Sequence, residues 1–255
     1  MKKYRGVFVK NDAEIANMRE ANRIVATVLD ELGDMVRPGV ATMRFEEKAR
    51  AICDSFGVAP AFLGYHGFPF AVCCSVNEQI VHGFPSEERI LEEGDIVSFD
   101  MGAVYNGFYG DSARTFAVGQ VSKEAERLMD VTRRSLEQGI AMARAGNFLH
   151  DISKAVQGLV EDEGFEVVRR FVGHGIGRNL HEKPEVPNFV PKGAPQLPLK
   201  AGMTLAIEPM VTAGSPDVEI LDDKWTAVTK DRSLSAHFEH TVAVTADGPM
   251  VLSVA

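Results

Sequence analysis

Cysteine is scarce in this chain. Only Cys53, Cys73 and Cys74 occur, which is a poor basis for a disulfide framework. Adjacent strand residues point to opposite faces, so Cys73 and Cys74 are not expected to bond each other. A reducing, cytoplasmic compartment is the expectation. Long apolar runs are also missing, which excludes an ordinary transmembrane helix. The opening stretch, MKKYRGVFVKNDAEIANMRE, has two lysines but no apolar core, so no secretory signal is read there. Positive charge is in deficit: 27 Lys and Arg against 36 Asp and Glu leave −9 at pH 7. That balance argues against a nucleic-acid-binding face as the main function. What remains, 45% hydrophobic and 25% charged over 255 residues, is the composition of an ordinary soluble globular protein. It is enough for one large domain or two small ones.

The pattern along the chain occurs twice. Residues 12–35 read as an amphipathic helix with a stripe of Ile15, Met18, Asn22, Val25, Leu29 and Leu32. RPGV at 37–40 stops it, and Thr42 is placed to cap a second helix that Gly57 ends. Strand-rich sequence follows to about Phe116. Ser122 then begins a helix to about Ala145, RAGN at 144–147 stops it, and another helix covers about Leu149 to Glu163 before strands resume. RPGV matches RAGN and Gly57 matches Gly164 at an offset of 107; YHG at 65 matches GHG at 173, and GDIVSFDMGAV at 94 matches GMTLAIEPMVT at 202, at 108. In that register Asp100 falls on Glu208. The reading is an α+β fold over residues 1–255 as a single domain. Its two halves, about 12–118 and 122–250, are related by a pseudo-twofold axis, with helices on a curved antiparallel sheet.

Two carboxylates interrupt the stretch FDMGAVYNGFYGDSART, residues 99–115. Asn106-Gly107 is a strong two-residue hairpin signal. With that turn, Gly102 lies opposite Asp111 and Asp100 opposite Ala113. Asp100, Gly102 and Asp111 then share one face, and Gly102 leaves a gap between the aspartates. The aspartates become diagonal neighbours with Cβ atoms roughly 7 Å apart. At a charge separation of about 6 Å the two would repel by ~3 kcal/mol at an effective dielectric near 20. The alternatives are a solvated strand face or a cation between the two groups.

Other polar residues sit oddly in apolar or glycine-flanked surroundings: His82 in IVHGFP, His174 and His181 in GHGIGRNLHEKP, Glu208 in TLAIEPM, Glu239 in HFEHTVAVT. The glycines beside His174 would permit unusual backbone angles or close approach of a ligand. Taken singly, a histidine beside glycine is a packed histidine and a strand glutamate a solvated edge. Taken jointly, Asp100, Asp111, Glu208 and Glu239 with one histidine form an oxygen-rich donor set whose charge matches two divalent cations. Such a set suits Mn, Fe or Co, with Zn also able to bind, and is unlike a structural zinc site. Paired divalent ions acidify a shared water and polarise a carbonyl, so hydrolysis of an amide or ester is the expected chemistry.

At GYHGFP, SVNEQIVHGFP, SFDMGAVYNGFYGDSARTF, GHGIGRNLHEKPEVPNF, GMTLAIEPM and TKDRSLSAHFEHT the chain closely resembles the type I methionine aminopeptidases, and the resemblance spans nearly its whole length. It implies the pita-bread fold and a metal-dependent enzyme that removes the initiator methionine from nascent chains when the second residue is small. It implies metal ligands at Asp100, Asp111, His174, Glu208 and Glu239, with Asp111 and Glu239 bridging two ions. It further implies that His181 meets the scissile carbonyl, that His82 meets the scissile nitrogen, and that Glu208 shuttles a proton. Tyr65, Cys73 and Trp225, the only tryptophan, would belong to the methionine pocket. Some members bind a monovalent cation near the positions of Asn77, Gln79 and Ser235. A monomer is the family precedent, and work near the ribosome is an associated expectation. Phe62, where members often have Cys, and Leu180, where they often have an aromatic, depart from the pattern. No zinc-finger or proline-rich extension and no type II insertion is read, which points to the minimal bacterial form. The rivals are an Xaa-Pro aminopeptidase or prolidase, and a non-catalytic binding protein of the same fold. The first ordinarily carries an N-terminal domain for which no room is read; the second would be expected to lose ligands, and all five are present.

Overall fold

The computed structural model describes residues 2–193 and 195–255. The first half runs β1 (Lys2–Tyr4), β2 (Val7–Val9), α1 (Asp12–Met35), α2 (Met43–Phe56), β3 (Ala59–Pro60), β4 (Val72–Val76), β5 (Gln79–Val81), β6 (Ile96–Tyr105) and β7 (Phe108–Ala117). The second half opens with α3 (Lys123–Met142), α4 (Leu149–Asp162), β8 (Glu166–Val167), β9 (Gly173–Gly175) and β10 (Glu182–Val186). It continues through β11 (Thr204–Ile207), β12 (Met210–Thr212), β13 (Val218–Ile220), β14 (Ala227–Thr229), β15 (Ser235–His237), β16 (Glu239–Val244) and β17 (Pro249–Val251). Helix, helix, then antiparallel strands occurs in each half, as the internal repeat predicts. Among the described residues no helix is long and apolar enough to cross a membrane.

Local chemistry explains the helix ends. Asn11 accepts the Glu14 N–H while the Glu14 carboxylate accepts the Asn11 N–H, closing a reciprocal cap on α1. Ser122 accepts the Ala125 N–H at the start of α3. Gly57 ends α2 at φ 64°, in the left-handed region. Thr42 precedes α2 as expected, but its hydroxyl does not cap it. It accepts the Ser86 N–H and donates to the Ser86 carbonyl, tying the helix start to the loop before β6.

The apolar stripe of α1 packs down. Val25, Leu29 and Leu32 join Phe45 of α2 and Val97, Phe99 and Met101 of β6 in one buried cluster. A second cluster sets α3 and α4 against β11 and β16 through Leu136, Ile152, Leu205, Ile207 and Val242. Helices thus cover one face of a nine-stranded sheet with central order β9-β11-β16-β7-β6. The sheet's middle strands come from both halves: β7 pairs with β6 on one side and with β16 on the other.

Gly110 of β7 shows how closely α1 approaches: a Cβ there would lie 2.6 Å from the Asn22 nitrogen. That approach lets Asn22, the polar member of the α1 stripe, reach across. Its Oδ1 accepts the Asp111 N–H at 3.1 Å.

Candidate metal centre

The hairpin register is the one the Asn106-Gly107 turn demands: Gly102 pairs with Asp111, Asp100 with Ala113. Ala113 also pairs with Glu239 of β16. Directly opposed residues share a face, so Asp100, Asp111 and Glu239 emerge together. His174 sits on β9, paired with Ala206 of β11. Its Nε2 is 3.7 Å from Asp111 Oδ2 and 3.5 Å from Glu208 Oε1. Asp111, His174 and Glu239 each bring one donor atom within 4.8 Å of the others.

Three local expectations need correction. Glu208 is not within a strand: it occupies a break between β11 and β12, because Pro209 has no N–H to continue a ladder. The space over Gly102 is not empty: Ala61 and Phe62 fill it. The glycines beside His174 serve close strand approach rather than a ligand. A Cβ at Gly173 would strike the Ala206 carbonyl, and one at Gly175 the Lys183 carbonyl.

One cavity of about 410 Å³ is lined by Asp100, Asp111, His174, Glu208 and Glu239 together with His82, His181, Tyr65, Cys73 and Trp225. Every candidate site residue read from the sequence, the monovalent-cation positions aside, is therefore brought to one place. Phe62 and Leu180 line it too, as do Phe68, Val81, Phe171 and Met210, which sequence reading did not single out. Only their apolar character in short strands and loops marks them, and core residues share that signal. Cys74, by contrast, faces the α1–α2 core, so the adjacent cysteines do point apart. All three cysteines are free.

The electrostatics are those of a cation site. Burial, then Asp100 and Glu208, push the Asp111 carboxyl well above its ordinary range. Burial likewise raises Asp100, to about 7, and raises Glu208 and Glu239, each further repelled by neighbouring carboxylates. The ion-pair partners of Asp111 and Glu208 among the described residues are histidines. Burial holds His174 and His237 down at about 3, so both are neutral at neutral pH. His174 Nδ1 is 3.0 Å from the Gly175 carbonyl. A carbonyl only accepts, so Nδ1 carries the proton and Nε2 turns a lone pair toward two carboxylates. Asp100 Oδ1, Asp111 Oδ1 and Glu239 Oε1 are buried without a hydrogen-bond partner. Converging carboxylate oxygens with no hydrogen-bond donor and, among the described residues, no Lys or Arg paired to them fit divalent metal.

The surroundings hold these groups still. The Thr241 hydroxyl donates to the Asp111 carbonyl at 2.8 Å, and the Ser112 hydroxyl to the Glu239 carbonyl at 2.7 Å. Asn188 Nδ2 donates to the Glu208 carbonyl at 2.9 Å. His181 Nδ1 lies 2.8 Å from the Tyr65 hydroxyl. Asp223 accepts the N–H groups of Trp225 and Thr226, fixing the tryptophan, whose ring meets Phe68 edge-on at 5.2 Å and His82 at 6.2 Å. Near the positions expected for a monovalent cation, the side chains are already engaged: Asn77 with Asp95 and Ile96, Gln79 with Val76, Ser235 with Val211.

Comparison with known proteins agrees with this geometry. Residues 16–246 match the description Metallopeptidase family M24. A methionine aminopeptidase of Clostridium perfringens is 50% identical over 249 residues, 97% of this chain and 99% of the relative. The chain belongs to this family. Methionine aminopeptidase 1 of Bacillus subtilis is 46% identical over 97% of this chain and 99% of its own length. The crystal structure of methionine aminopeptidase from Thermotoga maritima superposes with a TM-score of 0.95 at 45% identity, covering 98% of this chain and all of that one. A prolidase from Pyrococcus furiosus shares the fold, with a TM-score of 0.77 at 20% identity over 97% of this chain and 65% of that chain. The pita-bread fold is thus common to both groups, while the high identity lies with the methionine aminopeptidases.

Proposed function

We propose that this enzyme is a metal-dependent aminopeptidase that removes the initiator methionine from nascent polypeptides when the second residue is small. The observation that carries the reading is the convergence of four carboxylates, Asp111 and Glu239 buried and Asp100 and Glu208 half-buried, and one neutral imidazole in a cavity with a largely apolar wall. Asp100, Asp111, His174, Glu208 and Glu239 would hold two divalent ions, Asp111 and Glu239 being shared. Mn, Fe or Co suit this donor set, and Zn is also accommodated. When bound, divalent ions would polarise the scissile carbonyl and make water acidic enough to attack at neutral pH.

The chain's own groups supply the rest. Burial, then His66, lowers the His181 pKa, so the ring is neutral. With the Tyr65 hydroxyl donating to Nδ1, His181 keeps a proton on Nε2 to donate to the carbonyl oxygen as charge develops there. His82, held at about 4 by burial and then His181, is also neutral and would meet the scissile nitrogen. Glu208 would carry a proton to the departing amine. Tyr65, Cys73 and Trp225, with Phe68 and Phe171, would enclose the methionine side chain, whose sulfur packs favourably on aromatic edges. A monovalent cation near Asn77, Gln79 and Ser235 would use main-chain carbonyls, since their side chains are occupied. Both halves form one catalytic domain, and the protein would act as a cytoplasmic monomer on chains leaving the ribosome.

The test is product release from metal-stripped protein reloaded without oxygen with Mn, Fe or Co. Methionine should be released from Met-Ala-Ser, with Met-Leu-Ser, Leu-Ala-Ser and Ala-Pro left intact. Cleavage of Ala-Pro alone would move the enzyme to the Xaa-Pro group. Silence on every peptide would revive the binding-protein reading.

A further inference from the structure

Outside the metal centre, one charged pair is fully enclosed. Lys10 Nζ and Glu182 Oε2 meet at 2.6 Å across 172 residues of sequence, and each side chain is 1% exposed. Surface pairs contribute little, but here neither charge has water to fall back on, so each depends on the other. The second carboxylate oxygen of Glu182 faces a turn. Oε1 accepts the N–H of Arg178 at 2.9 Å and that of Asn179 at 3.3 Å. The same turn is closed by the Gly177 N–H donating to the Asn179 carbonyl at 3.1 Å. Lys10 is itself fixed by its main chain, whose N–H donates to the Gly202 carbonyl at 2.7 Å. A side chain at Gly177 would collide with the Lys10 stem and the Glu182 carboxylate, so glycine there follows from the pair.

This turn delivers His181, which lies directly before Glu182 and whose Nδ1 reaches the Tyr65 hydroxyl at 2.8 Å. Two anchors therefore define the imidazole: Tyr65 at the ring and the Lys10–Glu182 pair at the backbone. We infer that Lys10 is a positioning residue for the reaction: through Glu182 it clamps residues 177–181 and sets where His181 meets the substrate carbonyl. The inference rests on the reading of His181 as the donor to that carbonyl. It assigns the segment before α1, remote from the chemistry in sequence, a part in turnover.

The experiment uses the full chain loaded with manganese and Met-Ala-Ser as substrate, comparing Lys10→Met, Glu182→Gln, His181→Ala and the double variant Lys10→Met/His181→Ala. Lys10→Met should lower kcat by about tenfold to a hundredfold, the cost of misplacing a reacting group by a fraction of an ångström to one ångström, with KM little changed. Manganese binding measured by calorimetry should be unaltered. Added to His181→Ala, the Lys10 change should cost nothing further, because its effect passes through a ring already removed. Multiplying losses in the double variant, or wild-type kcat in folded Lys10→Met, would overturn the inference. If Lys10→Met does not fold, Glu182→Gln, alone and combined with His181→Ala, bears the same test in the same two ways, since it keeps the shape and one acceptor oxygen. Wild-type kcat in His181→Ala alone would remove the reading of His181 itself, an outcome told apart because it involves no change at Lys10 or Glu182.

Discussion

The two strand pairs that carry the carboxylates are built differently. In the first half β6 and β7 pair without interruption over ten residues each. In the second half β11 and β12 face β16 and β15 in one continuous register, yet the ladder lapses where Glu208 and Pro209 oppose Glu239 and Phe238. Proline has no N–H, and the Glu208 carbonyl is taken by Asn188 instead of a strand. An intact ladder projects Asp100 and Asp111 at fixed pleat positions. A broken one frees Glu208 from the pleat, so that its carboxylate reaches both His174, at 3.5 Å, and His237, at 3.9 Å. Rigid placement of the aspartates and adjustable placement of Glu208 suit a shared ligand and a proton carrier respectively.

The sharpest way to test that difference is to neutralise one carboxylate from each half. Asp111→Asn should cut kcat below about a thousandth of wild type, about 4 kcal/mol in the barrier, and calorimetry should show both ions weakened. Glu208→Gln should also suppress turnover but leave one ion tightly bound. Full activity in Asp111→Asn would end its assignment as a shared ligand. Two ions lost in Glu208→Gln would erase the distinction between the halves.

A smaller effect separates the donor set as a whole from the metal it holds. The Asp100 carboxyl is raised to about 7 by burial, above an unfolded value near 3.9. A raised carboxyl contributes nothing adverse below its unfolded pKa, and stability is lost as pH rises through the folded value. Metal-free protein should therefore unfold at lower temperature as pH goes from about 5 to about 8. Metal binding needs ionised ligands, so manganese-loaded protein should change in the opposite direction. Melting curves with chelator and with manganese at both pH values check this; slopes of the same sign would contradict the cation-site reading.

The same contrast decides what could be read without a structure. Asp100, Gly102 and Asp111 read as sharing one face because a two-residue turn fixes a register and nothing disturbs it. The offset repeat likewise aligned Asp100 with Glu208, since helix stops and strand patterns survive in both halves. Three-dimensional proximity that no period encodes was not legible. His237, whose buried Nε2 has no hydrogen-bond partner and lies 3.9 Å from the Glu208 carboxylate, reads in SAHFEH as one polar residue among several. Asn22 reads as a flaw in an apolar stripe, although it holds the Asp111 backbone. Thr42 reads as a cap because the sequence cannot show that Ser86, forty-four residues on, competes for its hydroxyl. Gly102 reads as a gap because the sequence cannot show that Ala61 and Phe62 occupy the space over it.

The finest test of the comparison concerns the two buried asparagines. Asn22 accepts from the Asp111 N–H at 3.1 Å in the first half, and Asn188 donates to the Glu208 carbonyl at 2.9 Å in the second. Both are essentially inaccessible, at 0% and 1% exposure. A buried N–H without an acceptor costs more than a carbonyl short of one donor. Asn22→Ala should therefore destabilise the protein by about 1–3 kcal/mol, reduced by the better helix propensity of alanine, at most about 0.7 kcal/mol. Asn188→Ala should cost less, about 1 kcal/mol, the net worth of one ordinary hydrogen bond. Urea unfolding of the metal-free proteins measures both. If Asn188→Ala proves the costlier change, the broken ladder is the more tightly held of the two, and the assignment of rigidity to the first half is reversed.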